Sequence, residues 1–245
     1  MEALIKRTVQ SMSGRILITM KTKIIYEDEH IIIINKPSGL ATQTARVGQP
    51  DVVSELKKYL SSKYLGIIHR LDQPVEGLLV FAKTKQAAAV LTRQFTSGSL
   101  HKKYYAVACG KATGKKGELV DYLLKGENQL ARIVTGMEQE YQDAKKAVLQ
   151  YKIIQNLSTP AELMLVDIHI LTGRFHQIRA QMAHAGMPLL GDSKYGSEKA
   201  KEIAAREGIR NVALCAYELT LQHPVTKKSM FFTIEPENKA FSFFA

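Results

Sequence analysis

Cysteine is scarce in this 245-residue chain: Cys109 and Cys215 stand far apart and mark neither a disulfide framework nor a metal-ligand pair. A reducing cytoplasm is the expected setting. No apolar run approaches the ~20 residues of a membrane span, so no membrane partner is expected. The opening stretch MEALIKRTVQSMSGRILITM lacks a compact apolar core followed by a cleavage site, so no secretory signal is read there. Residues 1–22 are taken as a leader or short extension and residues 23–245 as one catalytic-size domain. No repeat or low-complexity linker divides that domain. No G-x-G-x-x-G follows a strand, and there is no nucleophile elbow. The nearest approach to a phosphate loop, GKATGKKG, has too few residues between its glycines, and Lys116 stands where Ser or Thr must hold magnesium. It reads as a basic hairpin loop. The seven histidines show no H-x-x-x-H spacing, and His176 and His184 are eight apart. No metal is therefore expected.

Charge of one sign is abundant. Lys plus Arg number 34 against 23 Asp plus Glu, a net charge of +11 with a pI near 9.5. That excess points to a polyanionic partner, nucleic acid ahead of a membrane surface. Alternation and turn residues predict strands over 23–35 (two), 66–69, 78–83, 102–109, 118–124, 147–154, 161–170, 212–222 and 229–235. Helices are predicted over 51–62, 85–95, about 174–185 and 198–207, with Asp51 and Thr84 as caps and Gly98 as a stop. Strands with a few interspersed helices favour an α+β fold with a mixed, largely antiparallel central sheet and flanking helices.

Two segments carry chemistry. In HRLDQPVEGLLVFAKT, from His69 to Thr84, Asp72 lies between two apolar runs. Alone it reads as a turn residue. Glu76 follows, and the intervening Gln-Pro keeps both carboxylates from sharing a helix face. Two carboxylates raise a glycoside or nucleoside hydrolase as an alternative, although Glu76 is expected to be solvated. In LTGRFHQIRAQMAHAGMPLLGDSKYG, Thr172-Gly173 is expected to open a helix with Phe175, Ile178 and Met182 on its core face. Arg174 and Arg179 then crowd a helix start, where the dipole disfavours cations, so an acidic partner is expected nearby.

These residues resemble a known family. His69-Arg70-Leu71-Asp72 with Gly77-Leu78-Leu79-Val80-Phe81-Ala82-Lys83-Thr84 resembles the catalytic signature of the pseudouridine synthases of the RluA/RsuA superfamily. Gly173-Arg174-Phe175-His176-Gln177-Ile178-Arg179, with Gly191-Asp192 and Tyr195-Gly196, is similar to its second hallmark. Asn35-Lys36-Pro37-Ser38-Gly39-Leu40 and Lys102-Lys103-Tyr104-Tyr105-Ala106-Val107 match two further elements, all in family order. Val75-Glu76 stands where the family usually has Thr-Ser, and Phe175 where Thr is commoner. The resemblance is to the RluA branch, in a form without the amino-terminal S4 domain.

The resemblance implies an RNA pseudouridine synthase acting on rRNA or tRNA, with no cofactor and no protein partner, expected to be a monomer. It implies Asp72 as the essential carboxylate at the sugar and Arg179 as its partner. Tyr104 would stack on the uracil and help remove the C5 proton, with Ile178 on the other side of the base. Arg70 would fill the space left by the flipped nucleotide. His69, Lys102, Arg174, His176 and Gln177 would contact substrate or RNA. A catalytically silent RNA-binding protein of the same fold is the second alternative.

Overall fold

The computed structural model describes residues 20–44, 48–112, 114–126, 129–135, 142–158 and 162–245. The expectation for residues 1–22 falls almost wholly outside them. Eleven strands form one sheet: β1 (Lys23–Glu27), β2 (Ile31–Lys36), β3 (Gly66–Ile67), β4 (Glu76–Ala82), β5 (His101–Cys109), β6 (Lys116–Lys125), β7 (Ala131–Ile133), β8 (Lys145–Leu157), β9 (Leu163–Ile170), β10 (Leu214–Gln222) and β11 (Ser229–Thr233). Their order is β1-β2-β4-β10-β5-β9-β8-β6-β7, with β3 also on β4 and β11 also on β10. The β4–β10 pair is parallel and the other pairs are antiparallel. The fold is therefore α+β with a mixed, mostly antiparallel sheet.

The apolar runs explain the middle of this sheet. In β2 the four isoleucines are fully buried; Ile32 and Ile34 enter one core cluster, Ile31 and Ile33 the other. In β4 the same alternation sends Leu79 and Phe81 one way and Leu78, Val80 and Ala82 the other. Each such side chain gains about 1.5–3 kcal/mol from leaving water, so β2 and β4 anchor the sheet. Helix α1 (Val52–Tyr59) covers one face with Val52, Val53 and Leu56, while α2 (Lys85–Ser97) covers the opposite face with Ala87 and Leu91. Both start at the expected caps: Asp51 accepts the Ser54 N–H at 2.6 Å, and Thr84 accepts that of Ala87 at 3.1 Å. Two more helices follow, α3 (Gln177–His184) and α4 (Glu198–Glu207).

Three local expectations are corrected. Gly110–Gly117 joins β5 to β6, which are not sheet neighbours, so this basic segment is a crossover and not a hairpin. Helix α3 starts at Gln177, not near Arg174, because the Gln177 side chain accepts the Arg174 N–H at 3.0 Å and holds the preceding residues in a turn. Glu76 is buried at 4% exposure, where its carboxylate accepts the N–H groups of Glu237 and Asn238 at 3.1 and 3.0 Å. Gly77 beside it has φ 127°, and a Cβ there would meet the Ala216 backbone at 2.5 Å. Only glycine lets β4 approach β10 so closely.

Candidate active site

A cleft opens over the centre of the sheet. Its walls are the turn carrying Arg70 to Val75, Tyr104 of β5, the segment from Ile170 through the start of α3 to Arg179, and Leu214 of β10.

The Asp72 turn is fixed through backbone groups. Val75 N–H closes it on the Asp72 carbonyl at 3.0 Å. Thr42 Oγ1 donates to the Leu71 carbonyl at 2.8 Å and accepts the Leu71 N–H at 3.2 Å. Lys36 is fully buried, and its Nζ donates to the carbonyls of Pro37, Leu40 and Gln73 at 3.0, 2.6 and 3.1 Å. Burial pushes this ammonium down to about 7, with Asp72 and Glu76 pulling the other way. Ser38 Oγ donates to the Pro74 carbonyl at 2.9 Å. The Asn35–Leu40 element thus works as a clamp on the turn that presents Asp72. The Asp72 side chain keeps 28% exposure toward the cleft.

The opposite wall is fixed by side chains. Arg179, 3% exposed, sends Nε to Asp192 Oδ2 at 2.7 Å and Nη2 to Asp192 Oδ1 at 2.6 Å. Its remaining Nη1 lies 3.4 Å from Asp72 Oδ2. The planar fork is therefore spent on Asp192, and Asp72 receives a single longer contact. Burial pushes the Asp192 carboxyl up, but Arg179 and the N–H groups of Lys194 and Tyr195 outweigh it and hold it below its ordinary value. Asp192 is thus the acidic partner expected near the helix start, and it serves Arg179, whereas Arg174 turns to the Lys146 carbonyl.

His176 precedes α3 in the left-handed region, φ 51°, an uncommon state for a residue with a side chain. Its Nδ1 lies 2.9 Å from the Tyr195 hydroxyl, which accepts the Ala131 N–H at 2.6 Å. With the hydroxyl donating to Nδ1, the ring hydrogen sits on Nε2, which is 3.5 Å from Asp72 Oδ2. Burial pushes the imidazole down to about 4, against the pull of Asp72, so the ring is neutral near pH 7. Tyr195 also stacks its ring under the Arg179 guanidinium, 5.2 Å from the centroid. Tyr195 and Lys36, like Asp192, matched family motifs but received no role from sequence.

The remaining expected residues divide by position. Tyr104 and Ile178 are buried walls of the cleft. Burial, with Asp72 and Cys215 adding, pushes the Tyr104 phenol far above its ordinary value. Arg70 is exposed and donates to Gln43 at 3.0 Å, while Arg174 is exposed with Nε on the Lys146 carbonyl at 2.9 Å. Three residues expected to contact RNA are buried. His69 is 5% exposed and stacks on Phe95, centroids 5.9 Å apart. Lys102 is 6% exposed, with Nζ 5.2 Å from the Phe95 centroid and 5.9 Å from that of Tyr104. Burial pushes its ammonium down to about 8. Gln177 is buried and uses its amide on Thr172, Arg174 and Val148. His69 and Lys102 lie outside the lining of the cleft, and Gln177 is part of it.

The model of the RNA pseudouridylate synthase family matches residues 30–184. The chain is 33% identical over 208 residues to an uncharacterised RNA pseudouridine synthase of Bacillus subtilis, covering 83% of this chain and 65% of that protein's length. It is 31% identical to a dual-specificity RNA pseudouridine synthase of Vibrio parahaemolyticus, covering 91% of this chain and 89% of the relative. In fold it is similar to the human RNA pseudouridylate synthase domain containing 1, with a TM-score of 0.72 at 19% identity over 88% of this chain and 83% of that one. With the family model spanning most of the sheet and both walls of the cleft, the chain belongs to the RNA pseudouridylate synthase family.

Proposed function

We propose that this chain isomerises specific uridines in structured RNA, ribosomal or transfer, to pseudouridine. The observation that carries the reading is the meeting of Asp72 and Arg179 at 3.4 Å, although they lie 107 residues apart in sequence. They meet in a cleft walled by an aromatic ring, Tyr104, and an aliphatic side chain, Ile178, which suits a flat uncharged base. The net charge of +11 suits a polyphosphate partner.

The reaction breaks the base–sugar C–N bond, turns the uracil and forms a C–C bond to the same sugar carbon. The proton lost from the base carbon is balanced by one gained at the freed nitrogen. No net redox change occurs, so the chemistry needs no redox cofactor. Asp72 acts at the sugar, oriented by Arg179. Tyr104 serves as the floor for the loosened uracil: a phenol held protonated is a poor base, so its part in removing the C5 proton, expected from the resemblance, is not supported. Arg70, exposed at the rim, enters the gap in the RNA and offsets an unstacking cost of a few kcal/mol. Arg174 contacts phosphate.

A hydrolase needs a second carboxylate across the sugar. Among the described residues none lines the cleft with Asp72, since Asp192 is held by Arg179 and Glu76 turns toward Glu237 and Asn238. The test is pseudouridine mapping in cellular RNA with and without the gene. A site lost on deletion and restored by the purified chain supports the reading; free uracil or an unchanged map contradicts it.

A further inference from the structure

Phe175 is an exposed aromatic whose two chain neighbours, Arg174 and His176, line the cleft. The residue is 37% exposed, and its ring lies flat on His176, centroids 3.8 Å apart at 21°. Lys125 Nζ stands 5.2 Å from its centroid, and the neighbouring Arg174 is exposed. The ring is held in place from below: His176 is fixed by Tyr195, and the turn is closed by Gln177 N–H on the Arg174 carbonyl at 3.2 Å. A held, exposed aromatic with an ammonium over its ring, next in sequence to an exposed arginine that lines the cleft, is the composition of a platform on which nucleic-acid bases stack.

We propose that Phe175 is a stacking step for the base of a nucleotide flanking the one that enters the Asp72 cleft. The inference rests on the RNA-modifying reading and adds a second, separate base site to it. Stacking of a base on an aromatic ring outweighs an exposed cation–π contact, so the arriving base displaces the Lys125 ammonium. The freed ammonium and Arg174 are then placed to take the phosphates on either side. The base lands on a ring that rests on His176, whose Nε2 is 3.5 Å from Asp72. Occupancy of the step is thus transmitted through one imidazole to the carboxylate, so losing it lowers both affinity and single-turnover rate.

The test uses the full chain and RNA purified from cells lacking the enzyme, separated into transfer and ribosomal fractions. Phe175→Leu and Phe175→Ala should weaken binding of the modified fraction by about 5- to 100-fold. Leucine keeps apolar bulk but has no π face, so the two variants should behave alike. The chain contains no tryptophan, so Phe175→Trp installs a single reporter. That variant should bind like the wild type, with its emission quenched on saturation by RNA. Wild-type affinity and turnover in Phe175→Leu, or unquenched emission in Phe175→Trp, overturns the step while leaving the functional reading intact. A wild-type enzyme that forms no pseudouridine in either fraction overturns that reading and the step with it.

Discussion

The two walls of the cleft are held by different means. On the Asp72 side, the acceptors are backbone carbonyls: the side chains of Lys36, Ser38 and Thr42 donate to those around the turn. On the Arg179 side, side chain meets side chain: Arg179 on Asp192, Tyr195 on His176. A backbone clamp fixes where the Asp72 Cα stands and tolerates small changes of side-chain chemistry nearby. A side-chain network fixes charge and hydrogen direction, and each member depends on its neighbour. Residues that hold the Asp72 turn should therefore respond to mutation mainly through stability, whereas those of the Arg179 wall should respond through both stability and turnover.

The largest expected effect is at the buried ion pair. Asp192→Asn removes the charge and one of the two oxygens that Arg179 holds, and breaking such a pair costs about 3–5 kcal/mol. The pH dependence has a definite sign. Asp192 has a folded pKa below its unfolded value, so its stabilisation is full above the unfolded value, near 4, and is lost as pH falls through the folded one. Urea unfolding of Asp192→Asn should show a lower midpoint at neutral pH and a shallower loss into acid than the wild type. Equal acid slopes would mean that the pair contributes nothing through ionisation.

A smaller loss is expected on the backbone-held wall. Lys36→Met keeps the volume but leaves the Pro37 and Leu40 carbonyls without their donor, while Gln73 O retains the Gly39 N–H. Unmet buried acceptors cost about 1–3 kcal/mol each, and removing a buried charge returns part of that, so a net loss of about 2–4 kcal/mol is expected. Single-turnover rates measured well below the melting temperature should fall only a few-fold. A rate collapse in a stable Lys36→Met protein would erase the contrast between the walls.

The smallest effect sharpens the other side. Tyr195→Phe removes the hydroxyl that joins Ala131 to His176, about one hydrogen bond's worth, or roughly 3- to 10-fold in turnover. Stability should change by about 1 kcal/mol. Unchanged turnover would show that the orientation of His176 does not reach Asp72.

Legibility in the sequence followed the range of the interactions. Strands β2, β4 and β9 were readable because alternation and β-branched runs are local signals, as were the caps Thr84 and Asp51. The meeting of Asp72 with Arg179 was readable only through the family resemblance, since no periodicity links residues 107 apart. Burial of Glu76 was not readable, because its partners are backbone N–H groups 161 and 162 residues away. The start of α3 was misplaced because Gly173 looked like the helix opening, whereas Gln177 turns its amide back onto the loop. The Asp192 fork spans 13 residues across a helix end and a turn, and neither helix spacing nor strand alternation encodes that reach.

The central claim is that Asp72 is the carboxylate at the sugar, and one measurement tests it most directly. Asp72→Asn keeps the shape of the side chain and, with the turn held by Lys36 and Thr42, should fold as the wild type does. Pseudouridine formation is followed in single turnover on the RNA fraction that the wild type modifies, with affinity measured in parallel. The account predicts RNA binding within a few-fold of wild type and no detectable pseudouridine, a loss of at least about 10⁴-fold. Turnover near the wild-type rate in Asp72→Asn would contradict it.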